Sequence, residues 1–181
     1  MSKTTSERTR ARALAPGDAP AGLPAAGRPG YRSAVQSVWY FAYGSNMSRA
    51  QVRQRAGEPA EEKLARLENF ELNFDKIARG GTGTGNIVAA DGGVVHGVLY
   101  RLSEEQLKKL DRFEGVPEHY RRSEVNVLDA EGRKIAAQVY LARKVRRGLK
   151  PDRGYLQRII EGAVEHDLPG EYIEQLRKFL P

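Results

Sequence analysis

The stretch Tyr40-Phe41-Ala42-Tyr43-Gly44-Ser45-Asn46-Met47 is the part of this sequence that decides the fold. It predicts an apolar strand that stops at Tyr-Gly-Ser-Asn and is followed at once by a helix over Ser48–Ala56. A strand that breaks at glycine and leads into a helix start leaves several backbone N–H groups without partners. Such a turn can hold a carboxylate or a developing oxyanion without any charged side chain.

The remaining segments predict strands that are joined mostly by hairpins. Turn residues at 91–93 predict a hairpin between Asn86–Ala90 and Gly93–Leu102. The capping box at residues 103–106 predicts a helix over Glu104–Phe113. The other predicted elements are the strands Val38–Tyr43, Ala65–Phe74, Glu124–Leu128 and Lys134–Leu141 and the helices Asp152–His166 and Pro169–Leu180. This order predicts an α+β fold with a curled, mostly antiparallel sheet or small barrel.

Composition indicates a single globular domain after an N-terminal extension. Residues 1–36 are rich in alanine, proline, glycine and arginine without apolar periodicity, so we expect them to be disordered and residues 37–181 to form the domain. The net charge is +7, and residues 1–36 carry +4 of it, which argues against a nucleic-acid-binding face on the domain. No apolar run approaches the ~20 residues of a membrane span. The absence of cysteine excludes disulfides and fits a cytoplasmic location.

Glu114 is the ionisable residue with the most informative position. It lies seven residues after Leu107 and four after Leu110, on the inward face of the predicted helix. A carboxyl at such a position loses hydration, which raises its pKa towards that of a general base. The alternative is an exposed helix-end glutamate, and spacing alone favours that alternative.

Other candidate sites are weaker. Asp111 is interpreted as a structural acceptor for a backbone amide or an arginine, rather than as half of a carboxylate pair. The glycine-rich segment 80–85 matches no phosphate-binding motif and is interpreted as a turn or lid. Ser45 lacks the frame of a nucleophilic serine, and the three histidines, His96, His119 and His166, lack metal-ligand spacing. No metal site is therefore predicted.

Taken together, these motifs resemble the gamma-glutamyl cyclotransferase family. The resemblance rests on residues 40–47, on Val94–Tyr100, on Leu110-Asp111-Arg112-Phe113-Glu114-Gly115-Val116, and on the helix starts at 154–156 and 168–172. It implies a small mixed, mostly antiparallel β-barrel flanked by helices. It also implies that Glu114 is the catalytic acid/base. The substrate-binding residues that it implies are Tyr40, Tyr43, Gly44, Ser45, Asn46, Tyr120 and Tyr155.

The implied reaction is cyclisation of a gamma-glutamyl amide to 5-oxoproline with release of the amine, without cofactor or metal. The residues after the turn disfavour glutathione as substrate. We expect a small gamma-glutamyl compound as the partner, no nucleic acid or membrane, a cytoplasmic location and a homodimer. Two alternatives stay open at this point: a non-catalytic module that binds a gamma-glutamyl-like ligand, and a nucleic-acid-associated protein that uses its basic tail.

Overall fold

The computed structural model describes residues 37–78 and 80–180, and the prediction of a disordered segment 1–36 lies outside them. Strands and helices follow each other along this part of the chain. The strands are β1 (Ser37–Ala42), β2 (Glu61–Ile77), β3 (Gly83–Ser103), β4 (Tyr120–Asp129) and β5 (Lys134–Ala142). The helices are α1 (Arg49–Ala56), α2 (Glu104–Glu114), α3 (Arg153–Glu165) and α4 (Gly170–Arg177), with a 3-10 turn at Ser45–Met47.

The five strands of the described residues close into a barrel in the order β1-β3-β2-β4-β5. Every neighbouring pair along this order is antiparallel. The barrel closes where β1 runs parallel to β5, with Tyr40 opposite Gln138. The predicted α+β class and the mixed, mostly antiparallel barrel are therefore confirmed, and so is the hairpin formed by β4 and β5.

The predicted hairpin around Asp91 is wrong, because residues 83–103 form one continuous strand. Gly92 (φ 72°) and the facing Asn69 (φ 61°) both adopt left-handed backbone conformations, and the pairing of β2 with β3 shifts at this point. The Gly92 N–H donates to Asn69 Oδ1 at 3.2 Å. The turn residues therefore produce an irregularity within a long two-stranded arm. The chain reverses in the glycine-rich segment instead, where the Ala78 N–H donates to Thr82 O at 2.9 Å.

The barrel wall separates two apolar cores, because alternate side chains of a strand point to opposite faces. Phe41 packs with Leu99 and Val139 in a cluster drawn from the strands. Its neighbour Tyr40 belongs instead to the cluster that the helices complete, which includes Leu110 of α2. The second core thus anchors α2 and α3 against the end of β1, where the predicted anion-binding turn begins.

Candidate active site

Helix α2 determines where Glu114 lies. Ser103 Oγ accepts the Gln106 N–H at 3.2 Å, and Gln106 Oε1 accepts the Ser103 N–H at 2.9 Å, so the helix begins at the predicted capping box. Leu110 is completely buried, and Glu114, four residues later, has only 15% of its side chain exposed. The helix ends here because Gly115 takes a left-handed conformation, φ 64°. The inward orientation of Glu114 is confirmed, and the exposed alternative is wrong.

The carboxyl group of Glu114 meets one amide and one cation. Asn46 Nδ2 donates to Glu114 Oε1 at 2.9 Å, and Arg55 Nη1 lies 3.4 Å from the same oxygen. Burial raises the pKa of Glu114 above its ordinary value, and the opposing influences of Arg55, Asn46 and Lys76 are smaller. Glu114 is therefore a carboxyl whose affinity for a proton is increased while its charged form still has partners.

The segment Tyr43–Asn46, which we call the YGSN turn, joins β1 to α1. Its own backbone hydrogen bonds use the N–H groups of Met47 and Ser48, which donate to Gly44 O and Ser45 O. Among the described residues, no backbone carbonyl accepts the N–H of Gly44 or Ser45. Helix α1 then begins at Arg49, where Ser48 Oγ accepts the Gln51 N–H. Gly44 and Ser45 border the same cleft as Glu114, and the use of their N–H groups as anion donors stays a prediction.

Two tyrosine hydroxyls, one from α3 and one from β4, hold Gly85 of β3 in the wall of the site. The Gly85 N–H donates to the hydroxyl of Tyr155, and Tyr120 donates its own to Gly85 O, both at 2.9 Å. Tyr43 donates to Tyr140 O at 2.6 Å. Burial raises the pKa of Tyr155 to about 12 and raises that of Tyr120 further. These hydroxyls therefore stay neutral at physiological pH.

All eight residues that the sequence singled out border a single cleft. The volume of this cleft, including the solvent at its open mouth, is about 320 Å³. The residues that line it are Tyr40, Tyr43, Gly44, Ser45, Asn46, Gly85, Glu114, Tyr120, Tyr140 and Tyr155. The chain therefore brings the predicted base, the predicted turn and the predicted aromatic residues together, and their catalytic and binding roles stay predictions.

Sequence reasoning missed four residues of this site. Gly85 and Tyr140 line the cleft. Arg55 contacts Glu114 from α1, and Lys76 of β2 holds its Nζ 5.4 Å from the ring centre of Tyr120. Burial lowers the pKa of Lys76, and Glu114 partly offsets this. The only available signal was the position of Arg55 in the helix directly after the turn.

Asp111 serves the fold, as its interpretation as a structural acceptor predicted. Arg122 Nε lies 3.2 Å from Asp111 Oδ1, and the Tyr140 hydroxyl donates to the same oxygen at 2.8 Å. His166 is buried, and its Nε2 lies 2.9 Å from Met47 O, so it is a packing residue. Within residues 37–78 and 80–180, no three histidine or acidic side chains are grouped as a metal site would require.

Comparison with known proteins gives a consistent result. The model of the AIG2-like family matches residues 94–176. The human protein "Gamma-glutamylcyclotransferase" is 34% identical over 153 residues, which is 81% of this chain and 80% of that protein. The chain belongs to the gamma-glutamylcyclotransferase family. The mouse protein of the same name, 32% identical over 81% of this chain and 80% of its own length, supports the same family assignment.

The barrel is shared with solved structures of this family. A structure titled "Gamma-glutamyl cyclotransferase" is 32% identical and superposes with a TM-score of 0.75, covering 81% of this chain and 89% of its own. A yeast gamma-glutamyl cyclotransferase specific to glutathione has a TM-score of 0.59 at only 11% identity, over 80% of this chain and 95% of its own. The second likeness shows the fold alone.

In the described part of the chain, no helix is both long enough and apolar enough to cross a membrane.

Proposed function

We propose that this protein cyclises the gamma-glutamyl group of a small amide to 5-oxoproline and releases the attached amine or amino acid. The observation that carries the proposal is the buried Glu114 carboxyl, hydrogen-bonded at 2.9 Å to Asn46 of the YGSN turn. The names of the human and mouse relatives support the same reaction type.

The reaction needs a base that later acts as an acid. The substrate's α-amine attacks its own γ-carbonyl, so one C–N bond forms and closes the ring while the C–N bond to the leaving amine breaks. An α-ammonium group has a pKa of about 8 and is mostly protonated at neutral pH. Two protons leave the α-nitrogen in all, because the ammonium carries three hydrogens and the lactam nitrogen keeps one. Glu114 removes the first before the attack and the second as the ring closes. It passes each in turn to the leaving nitrogen, which departs as an ammonium, so protons and charge balance. The attacking atom belongs to the substrate, so no nucleophile from the protein takes part.

The surroundings of Glu114 suit a group that must accept and release a proton. Burial raises its pKa, whereas Arg55, Asn46 and Lys76 stabilise the carboxylate and so oppose that rise. A base positioned in this way typically accelerates a reaction by about 10²–10⁴. Holding amine and carbonyl within reach of each other can supply roughly 7 kcal/mol more.

The YGSN turn supplies donors for the negative charge of the substrate or of the intermediate. Gly44 and Ser45 line the cleft, and their backbone N–H groups suit either the α-carboxylate or the tetrahedral oxyanion. The neutral hydroxyls of Tyr120 and Tyr155 bind both polar groups of Gly85, which keeps the opposite wall fixed. The substrate therefore lies between a rigid tyrosine wall and the backbone of the turn.

A screen of gamma-glutamyl compounds for released 5-oxoproline by mass spectrometry tests the proposal. It should include gamma-glutamyl amino acids, gamma-glutamylamines and glutathione. We expect Glu114→Gln to lower the rate at least about 100-fold while substrate binding survives. Glu105→Gln is the matched control, because Glu105 lies exposed on the same helix. Equal turnover by Glu114→Gln would reject the assigned role, and binding without turnover by the wild type would indicate a non-catalytic module.

The homodimer and the cytoplasmic location expected from the sequence stay predictions. Light scattering of the purified chain would check the first of them.

A further inference from the structure

Arg55 occupies a restrained position between the proposed base and the surface. Its Nη1 lies 2.9 Å from Asn46 Oδ1 and 3.4 Å from Glu114 Oε1. Its guanidinium carbon lies 5.4 Å from the ring centre of Phe113, which is exposed. Only 26% of the Arg55 side chain is exposed. Contacts with an amide, a carboxylate and an aromatic ring hold this arginine in one orientation.

Arg55, together with Gln51, determines which way the amide of Asn46 points. The oxygen of that amide accepts hydrogen bonds from Arg55 Nη1 and, at 3.1 Å, from Gln51 Nε2. The nitrogen end therefore faces the other way, where Nδ2 donates to Tyr40 Oη and to Glu114 Oε1, both at 2.9 Å. Without donors on its oxygen side, the amide could rotate and present an acceptor to the carboxylate.

The same arrangement separates the two oxygens of Glu114. Both Asn46 and Arg55 contact Oε1, whereas no hydrogen bond from a described residue reaches Oε2. Oε2 is thus the oxygen available for a substrate proton. On the basis of the proposed function, we propose that Arg55 is a positioning residue for the cyclisation. It orients Asn46 and holds Oε1, so that Oε2 of Glu114 meets the substrate amine.

The charge of Arg55 adds an effect that can be measured. Arg55 from α1 and Lys76 from β2 are the cations that lower the pKa of Glu114, and Asn46 acts in the same direction from the turn. Tyrosines from the barrel, the turn and α3 complete the surroundings of the carboxyl: Tyr40, Tyr43, Tyr120, Tyr140 and Tyr155. Because these tyrosines stay neutral, loss of Arg55 leaves only Lys76 and Asn46 to oppose burial, and the pKa of Glu114 rises.

Steady-state kinetics of Arg55→Met and Arg55→Lys over a range of pH test the proposal. We expect Arg55→Met to lower kcat by about 10- to 100-fold with little change in KM, since a small misplacement of a reacting group has costs of this order. The acid limb of its kcat/KM profile should move to higher pH. Arg55→Lys should restore the position of that limb and part of kcat. Arg53→Met is the control, because Arg53 pairs with Glu58 at the surface of the same helix.

Each outcome decides for or against the positioning role. Wild-type kcat and an unchanged pH profile in Arg55→Met would overturn it, and so would an increase in KM alone, which would mean that Arg55 binds substrate. Carbon-13 NMR titration of the Glu114 carboxyl in the wild type and in both variants needs no turnover. It therefore tests the positioning role even if the cyclisation assay shows the proposed function to be wrong. A carboxyl that titrates identically in all three proteins would reject the role, whereas an upward shift confined to Arg55→Met would support it.

Discussion

Asn46 and Glu114 are 68 positions apart in the sequence, and the side-chain amide of the first donates to the carboxyl of the second at 2.9 Å. Asn46 belongs to the turn that ends β1, and Glu114 is the last residue of α2. This hydrogen bond therefore joins the proposed substrate-binding turn to the proposed base. It also places a donor against the charged form of a carboxyl whose pKa is raised by burial.

Replacing this donor by an acceptor should impair catalysis. In Asn46→Asp a second carboxylate would face Glu114, and repulsion between the two would raise the pKa of Glu114. We expect kcat to fall at least about 10-fold and the acid limb of the pH–rate profile to move to higher pH. Asn126→Asp, at an exposed position of β4, should behave like the wild type. A wild-type profile in Asn46→Asp would show that the hydrogen bond does not tune the base.

Burial of Glu114 also predicts how stability depends on pH. Its pKa is raised in the folded protein, so the folded state holds the proton more tightly than the unfolded chain. Below the pKa of an unfolded glutamate, about 4.3, Glu114 is protonated in both states and its burial lowers the free energy of unfolding little. As the pH rises towards and through the raised pKa of the folded state, this stability is lost. Glu114→Gln removes this loss. Urea unfolding should therefore show a stability advantage of Glu114→Gln that grows with pH and then levels off. A constant difference from pH 4 to pH 8 would contradict the prediction.

Local sequence patterns were sufficient to predict the positions of Glu114 and of the YGSN turn, because each position depends on neighbours along the chain. The capping box and Leu110 fix which face of α2 carries Glu114, and the break at Gly44 fixes where β1 ends. Lys76, in contrast, lies 38 positions before Glu114 on a strand whose pattern says nothing about the cleft. Only closure of the barrel brings it near, and hydrophobic periodicity contains no information about that closure.

The wrong hairpin has a related cause. Asp91 and Gly92 are residues typical of a two-residue turn, and Gly92 does adopt the left-handed conformation that such a bend requires. Whether such a bend reverses the chain depends on the partner strand. Here Asn69 on β2 follows the bend with its own left-handed conformation, so pairing resumes on both sides of it.

Tyr155 offers a test of the tyrosine wall. Its hydroxyl accepts the Gly85 N–H at 2.9 Å, so Tyr155→Phe leaves that donor without its partner beside the cleft. We expect KM to rise several-fold with kcat largely kept, because the proposed role of these tyrosines is substrate binding and not proton transfer. Tyr172→Phe is the matched control, since Tyr172 is a buried tyrosine that is not among the residues lining the cleft. Unchanged kinetics in Tyr155→Phe would remove Tyr155 from the site.

The packing of α3 against the segment that follows the YGSN turn predicts a sensitive glycine. A Cβ atom on Gly162 would lie 2.8 Å from Ser48 N and 2.9 Å from Met47 Cβ, and the backbone nitrogen cannot move without shifting the turn. We expect overpacking in Gly162→Ala to lower the free energy of unfolding by about 1–3 kcal/mol. The higher helix propensity of alanine offsets roughly 1 kcal/mol of this loss. We also expect kcat to fall, because the turn is displaced. Gly170→Ala at the start of α4 meets no atom within 4 Å and should keep both quantities. Urea unfolding and steady-state kinetics of the two variants compare them directly. Wild-type values for Gly162→Ala would mean that this contact does not hold the turn in position.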